Sequence, residues 1–217
     1  MHHIYHTEGI ILGSKNFGEA GKYYYIFTRD LGMITASAQG VRKMSSKLRF
    51  VLQDFSYLKI DLVAGKNIFR ITTASKTNIL EQITKQPETF KVFTNIARLL
   101  TRLLAGIEPN EALFDDLVAG LIILEKMGME EPARNAAPAR NDSRSDSGRH
   151  SVAGGDLRHV EAVIVLRIIS NLGYIGQSEV VDTFIKSPFE EKLIFEASKH
   201  RPRILREINK ALQETHL

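Results

Sequence analysis

Cysteine is absent from all 217 residues. Its absence removes disulfide scaffolds, thiolate zinc sites, iron–sulfur clusters and cysteine nucleophiles together. A zinc site built from histidines and carboxylates alone stays open, but none is expected. Long apolar runs are missing too. The longest, about Leu117 to Leu124, falls far short of the roughly 20 residues that a membrane helix needs, so no membrane partner is expected. The opening Met1-His2-His3-Ile4-Tyr5-His6 lacks the basic and apolar regions of a secretory signal, which makes the cytoplasm the expected compartment.

What is present is an ordinary globular composition, 43% hydrophobic, with 29 Lys and Arg against 25 Asp and Glu for a formal charge of +4. The total says little, whereas its distribution is informative. Residues 1–80 hold 11 cations and 5 anions, 11 − 5 = +6, and residues 81–217 hold 18 and 20, 18 − 20 = −2. The split points to a basic module with an anionic partner, covering 1–80, joined to a neutral or slightly acidic structural or partner-binding part over 81–217.

The basic part reads as five short strands. Glu8–Gly13, the aromatic run Lys22–Thr28, Met33–Gln39, Asp54–Leu62 and Asn67–Ala74 are rich in β-branched and aromatic residues and alternate with period two. Arg29-Asp30-Leu31-Gly32 and Ala64-Gly65-Lys66-Asn67 are hairpin turns, the first with Gly32 taking the positive φ. Five strands in so short a span suit a small closed barrel of the OB type, which also leaves no open sheet edge. From Gln86 the period turns helical. Pro87 suits a first helical position, and Phe93, Ile96, Ala97, Leu100, Leu103 and Leu104 recur on one face. A second helix is predicted from near Asn110 to Gly128 and a third from Leu157 to the stop at Gly173. Residues 130–156 have no apolar periodicity and read as a flexible insertion. Ser187-Pro188-Phe189-Glu190 reads as a capping box opening another helix, with a final amphipathic stretch beginning at Pro202. The fold class is therefore α+β: a five-stranded OB barrel followed by an all-helical C-terminal domain.

Several constellations carry chemistry. Gly13 to Lys22 is superficially like a phosphate loop, but Gly18 is followed by Glu19 and Lys22 by a tyrosine strand rather than a helix, so nucleotide hydrolysis is not expected. Gly40 to Arg49 places Arg42, Lys43, Lys47 and Arg49 in one segment with two serines, a pattern suited to phosphates; taken alone it would read as a solvated loop, but Lys15 and Lys22 share its barrel. In Tyr23-Tyr24-Tyr25-Ile26-Phe27 both strand faces are apolar. One must be core, and the other is either a platform for stacked bases or a surface covered by the helical part. His2, His3 and His6 have no carboxylate pair for a metal, and the other histidines lack an H-E-x-x-H pattern. No nucleophile elbow occurs, and Asp115-Asp116 reads as complementing a helix dipole. No catalytic residue, metal, cofactor or small-molecule substrate is expected.

Tyr5-His6-Thr7-Glu8-Gly9-Ile10-Ile11-Leu12, Phe17-Gly18-Glu19-Ala20, Phe27-Thr28-Arg29-Asp30-Leu31-Gly32, Ala38-Gln39-Gly40-Val41-Arg42 and Ser46-Lys47-Leu48-Arg49 with Leu52-Gln53 and Phe55 resemble, in order and spacing, the RecO family of bacterial DNA repair and recombination mediators. Leu166 to Tyr174 is similar to that family's helix ending in Leu-Gly-Tyr. The resemblance implies an OB domain that binds single- and double-stranded DNA, annealing of complementary strands, and partnership with RecR and with the acidic C-terminal tail of single-strand DNA-binding protein during recombinase loading. It implies no catalysis. Arg42, Lys43, Lys47 and Arg49 match the family's basic motif, with Lys15 and Lys22 secondary and Tyr23, Tyr24 and Tyr25 as base-stacking candidates. Arg98 and Arg102, set between leucines, are the candidates for the partner tail, against the plainer reading that they only flank a buried stripe. Many relatives carry a four-cysteine zinc module after the Leu-Gly-Tyr signature, whereas Ile175 to Pro188 contains no cysteine. The rival readings are an OB-like protein-interaction adaptor and an RNA-binding module.

Overall fold

The computed structural model describes residues 3–104, 108–135, 153–176 and 179–214. Among the described residues the chain forms five strands, β1 (Ile4–Phe17), β2 (Gly21–Thr28), β3 (Gly32–Ala38), β4 (Tyr57–Ala64) and β5 (Phe69–Lys76), and six helices, α1 (Leu48–Val51), α2 (Pro87–Leu103), α3 (Glu111–Asn135), α4 (Ala153–Asn171), α5 (Glu179–Lys186) and α6 (Glu191–Glu214). They form two compact units, one of residues 1–81 and 97–115, the other of 82–96 and 116–217.

In the first unit the strands close into a barrel in the order β1-β2-β3-β5-β4, with β4 returning to β1. Every pairing is antiparallel except β3 with β5, where Ala36 and Ser37 stand beside Phe69 and Arg70. This is the OB-fold that the strand pattern predicted. Period-two alternation sends Tyr24 and Ile26 of β2, Ile34, Ala36 and Ala38 of β3, and Leu58, Ile60 and Leu62 of β4 into one buried cluster with Ile11 and Ile71. Each large member contributes about 1.5–3 kcal/mol by leaving water. Gly32 turns the β2–β3 hairpin at φ 68°, as expected. β1 is longer than the sequence suggested: it runs on through Phe17, pairing Ser14 with Tyr24 and Lys15 with Tyr23. The glycine-rich stretch is thus strand and turn rather than a phosphate-binding loop.

The second unit packs α4 against α5 and α6, with Val160, Val163, Ile164, Ile168, Leu193, Ile194, Ala197 and Ile208 buried. Arg167, 4% exposed, organises it. Its guanidinium donates to Asp116 Oδ1 at 2.9 Å, to the Phe184 carbonyl at 2.9 Å and to the Ser187 carbonyl, and lies 4.8 Å from the Phe189 ring centroid. Asn171 Nδ2 donates to the other Asp116 oxygen at 3.1 Å. A buried charge is tolerated because each donor finds an acceptor.

Four expectations are corrected. α3 runs through Gly128 to Asn135; the glycine is there because a Cβ would collide with Thr89 Cγ2. Ser187-Pro188-Phe189-Glu190 is no capping box. The Ser187 N–H closes α5 by donating to the Thr183 carbonyl at 3.2 Å, Arg167 takes the Ser187 carbonyl, and α6 starts only where Glu190 accepts from Leu193 and Ile194. Pro202 lies inside α6 rather than opening a helix, since Ala197, Ile204 and Ile208 keep one buried face across it. Of the insertion read at 130–156, residues 130–135 belong to α3 and 153–156 to α4, and the remainder lies outside the described residues. The structure adds α5, which occupies part of the segment where the resemblance implies a zinc module in many relatives; its Val181 and Phe184 are buried.

Candidate nucleic-acid interface

The basic segment between β3 and β4 is fastened at both ends. Val41 and Leu52 are buried, 2% and 3% exposed, and between them the chain folds into successive tight turns. The Arg42 N–H donates to the Ala20 carbonyl at 3.0 Å, Lys43 to Gly40 at 3.0 Å and Ser46 to Lys43 at 3.1 Å, leading into α1, where Leu52 donates to Leu48 at 2.8 Å. Leu48 and Val51 pack on the barrel core. Arg42, Lys43, Lys47 and Arg49 are all exposed on this braced scaffold. None forms an ion pair with a carboxylate among the described residues. Arg42 Nη1 reaches the Gly18 carbonyl at 3.5 Å, and Arg49 Nη1 touches Met44 Sδ at 2.6 Å.

Lys22, Arg42 and Arg49 come together over a cleft of about 410 Å³ lined also by Tyr24, Val41, Leu52, Gln53 and Asp54. Lys22 donates to Ser14 Oγ at 3.3 Å, and its Nζ stands 6.0 Å from the Tyr24 ring centroid. Past the cleft the chain is tied back to β1: the Phe55 N–H donates to the Ile11 carbonyl at 2.8 Å and Ile11 to Ser56 at 3.0 Å. Phe55 adopts φ 67°, a left-handed turn that a bulky residue takes only when its surroundings impose it. Sequence reasoning named Gln53 only as part of the resemblance and gave Asp54 no role in a site; their position next to the basic motif was the one available signal.

The tyrosine run divides as alternation requires. Tyr24 is fully buried in the barrel core with its hydroxyl donating to the Leu52 carbonyl at 3.4 Å, so it cannot stack a base. Burial, with the Asp54 charge adding to it, pushes its phenol up to about 12. Tyr23 and Tyr25 point outward; Tyr23 stacks on Phe17 with ring centroids 4.2 Å apart, and Tyr25 is 39% exposed. Phe27, farther along the same face, is covered by Phe114 at 5.4 Å. The outer face is therefore covered at one end, where Phe114 meets Phe27, and open at the other, where Tyr25 is exposed. Strand register sets exposed Lys15 beside Tyr23, Tyr23 beside Ser37, and Ser37 beside Arg70, making a cationic and aromatic band across β1, β2, β3 and β5.

The barrel's acids mostly face other partners. Glu8 accepts from Tyr57 Oη at 2.5 Å, Asp30 from Thr7 at 2.5 Å, and Asp61 bonds His6 Nδ1 at 2.6 Å. Arg29, unlike the basic-segment cations, is neutralised by Asp115 at 2.9 Å. His6 is thus engaged by Asp61, His3 packs edge-on against Tyr5, and His2 lies outside the described residues. Among the described residues no three His, Asp or Glu side chains gather as a metal site, and no helix is long and apolar enough to cross a membrane. Asp115 and Asp116 pair with Arg29 and Arg167, a more specific use than dipole complementarity. Arg98 and Arg102 are exposed one turn apart on α2, with Leu100 and Leu103 buried between and beside them.

Residues 1–79 match the family described as Recombination protein O N terminal. The DNA repair protein RecO of Heliobacterium modesticaldum is 30% identical over 171 residues, 79% of this chain and 52% of that protein. RecO of Rubrobacter xylanophilus is 28% identical over 123 residues, 57% of this chain and 49% of its own length. That of Desulfitobacterium hafniense is 27% identical over 122 residues, 56% and 45%. The chain spans about half the length of the curated relatives it matches. The closed five-stranded barrel and the match over residues 1–79 make this part of the chain similar to the N-terminal domain of recombination protein O.

Proposed function

We propose that the chain acts in DNA repair and recombination as a non-enzymatic mediator that binds single- and double-stranded DNA on its barrel and anneals complementary strands. The observation that carries this reading is the braced segment presenting Arg42, Lys43, Lys47 and Arg49 without carboxylate partners, beside the band of Lys15, Phe17, Tyr23 and Tyr25. Annealing is opposed by repulsion between two phosphate backbones. A cationic surface that meets both removes part of that cost and releases counterions, with no base readout required. Because the turns already hold the cationic segment, little backbone entropy is lost on binding. Open rings on the outer face add stacking, about 1–3 kcal/mol per base. Lys22 supports the same surface from the cleft. Replacing Arg42, Lys43, Lys47 and Arg49 together by Ala is expected to weaken single-strand binding at least tenfold at moderate salt and to slow annealing of complementary oligonucleotides. Unchanged affinity and unchanged annealing would remove the assignment.

The helical part is proposed to hold the protein partners: RecR, and the acidic C-terminal tail of single-strand DNA-binding protein, whose capture directs the mediator to coated strands where recombinase is loaded. Arg98 and Arg102 on α2 suit the acidic groups of such a peptide, since their exposed guanidinium groups stand one turn apart there. Titrating a tail peptide against Arg98→Glu and Arg102→Glu is expected to show loss of binding in both. An undiminished affinity means that the two arginines only border the buried stripe.

A further inference from the structure

Asp54 is out of place in a site built only for phosphate. It lines the same cleft as Lys22, Arg42 and Arg49, it is exposed, and it forms no ion pair with any of them among the described residues. A carboxylate there repels a polyanion backbone, yet it is a strong two-oxygen acceptor for a ligand edge that donates two hydrogen bonds. The rest of the cleft is suited to a flat, amphipathic group. Tyr24, Val41 and Leu52, all nearly or fully buried, supply apolar lining, and cations stand at its sides. Its volume of about 410 Å³ lies within the usual span for small-ligand pockets, roughly 300–1,000 Å³.

Among the nucleobases, guanine alone offers two adjacent donors, N1–H and N2–H, on its Watson–Crick edge while presenting O6 and N7 as acceptors. Thymine brings two carbonyls flanking one N–H, so a carboxylate facing that edge meets repulsion on either side. Adenine and cytosine each offer a single amino group there. We propose that the cleft takes one unstacked guanine of a bound single strand, Asp54 accepting from N1–H and N2–H and an arginine of the pair Arg42 and Arg49 donating to O6 or N7. Gln53 is at hand for the same edge, its Oε1 already held by Lys76 Nζ at 3.5 Å. The inference rests on the DNA-binding reading and adds to it a base preference at one position of an otherwise sequence-blind surface.

The test compares equilibrium binding of the full chain to an oligothymidylate and to the same strand with one central guanine, at fixed salt. The guanine strand is expected to bind roughly tenfold tighter, and a strand with hypoxanthine in its place, lacking the N2 amine, to fall between. In Asp54→Asn, the side-chain amide turns one acceptor into a donor. The preference is expected to fall to twofold or less while affinity for the oligothymidylate holds or rises, which also certifies that the variant is folded. Equal binding of guanine and thymine strands by the unaltered chain, or a preference that survives Asp54→Asn, overturns the guanine site and leaves the DNA-binding reading standing. If neither strand binds even at low salt, the DNA-binding reading itself fails, and the guanine site with it.

Discussion

Tyr24 marks the limit of what single residues reveal in a sequence. Alternation in Tyr23-Tyr24-Tyr25 was legible, but which face becomes core was not, because a tyrosine is at home both in a barrel interior and on a stacking surface. The neighbouring strands decide it: Ala36 and Ala38 of β3 are small enough to leave room for one large ring inside, and the Tyr24 ring is fully buried in that cluster. Burial has a pH consequence. In the unfolded chain the phenol ionises near its ordinary value of 10.0, while in the fold it stays neutral until about 12. The stability that this neutral phenol contributes is fully present below pH 10 and is lost as pH rises from there towards 12, because the unfolded state releases its proton first. Tyr57, raised by burial and by its hydrogen bond to Glu8, acts in the same direction. Urea unfolding midpoints measured between pH 9 and pH 12, about the range set by that phenol, are expected to decline less steeply in Tyr24→Phe than in the unaltered chain. Parallel declines would show that Tyr24 ionises alike in the folded and unfolded states.

Helix ends were harder to read than helix faces, and glycine is the reason. Gly128 follows Leu124 at a point where a stop is plausible, and only the tertiary contact tells a terminator from a packing glycine. It sits inside α3, where any larger residue would strike the Thr89 methyl, and Thr89 is itself fixed, its hydroxyl donating to the Ile83 carbonyl at 2.7 Å and to the Gln86 carbonyl at 3.0 Å. Likewise α5 was invisible because its eight residues are rich in β-branched types, and what holds them helical is burial of Val181 and Phe184 and the grip of Arg167 on the Phe184 carbonyl. Such contacts are set by residues distant in the chain. Helix propensity alone says that Gly128→Ala should stabilise by about 1 kcal/mol. The collision predicts the opposite, a loss of about 1–3 kcal/mol from overpacking. Thr89→Ser keeps the hydroxyl and removes the methyl, so the double variant should recover most of that loss. Chemical denaturation of the two single variants and the double reads this directly, and a Gly128→Ala chain more stable than the parent would rule out the contact.

At the scale of the whole chain, the barrel was the most legible feature because β-branched alternation and two turn signals agreed, and because its charge was concentrated. The excess of +6 over residues 1–80 said that this part faces an anion, but a count cannot tell working cations from those already spent on a neighbour. The structure separates them: Arg29 lies 2.9 Å from Asp115, whereas among the described residues Arg42 and Arg49 meet a carbonyl, a thioether and the Phe50 ring but no carboxylate. Counterion release follows net neutralisation of phosphates, so only unspent cations contribute to the salt dependence of binding. For single strands each contributes a slope of about −0.7 in log affinity against log salt. Arg42→Ala should therefore make the slope shallower by about 0.7, and the fourfold variant by about 3. Arg29→Ala should leave the slope of the parent, since its guanidinium is matched by a carboxylate in the fold and an exposed pair of that kind adds little to stability. Binding isotherms of one oligonucleotide across a salt series for these three variants test the partition. A slope that falls as much for Arg29→Ala as for Arg42→Ala would mean that the strand displaces Asp115 from its partner, and that the cationic surface the DNA follows extends past the basic segment to the β2–β3 turn.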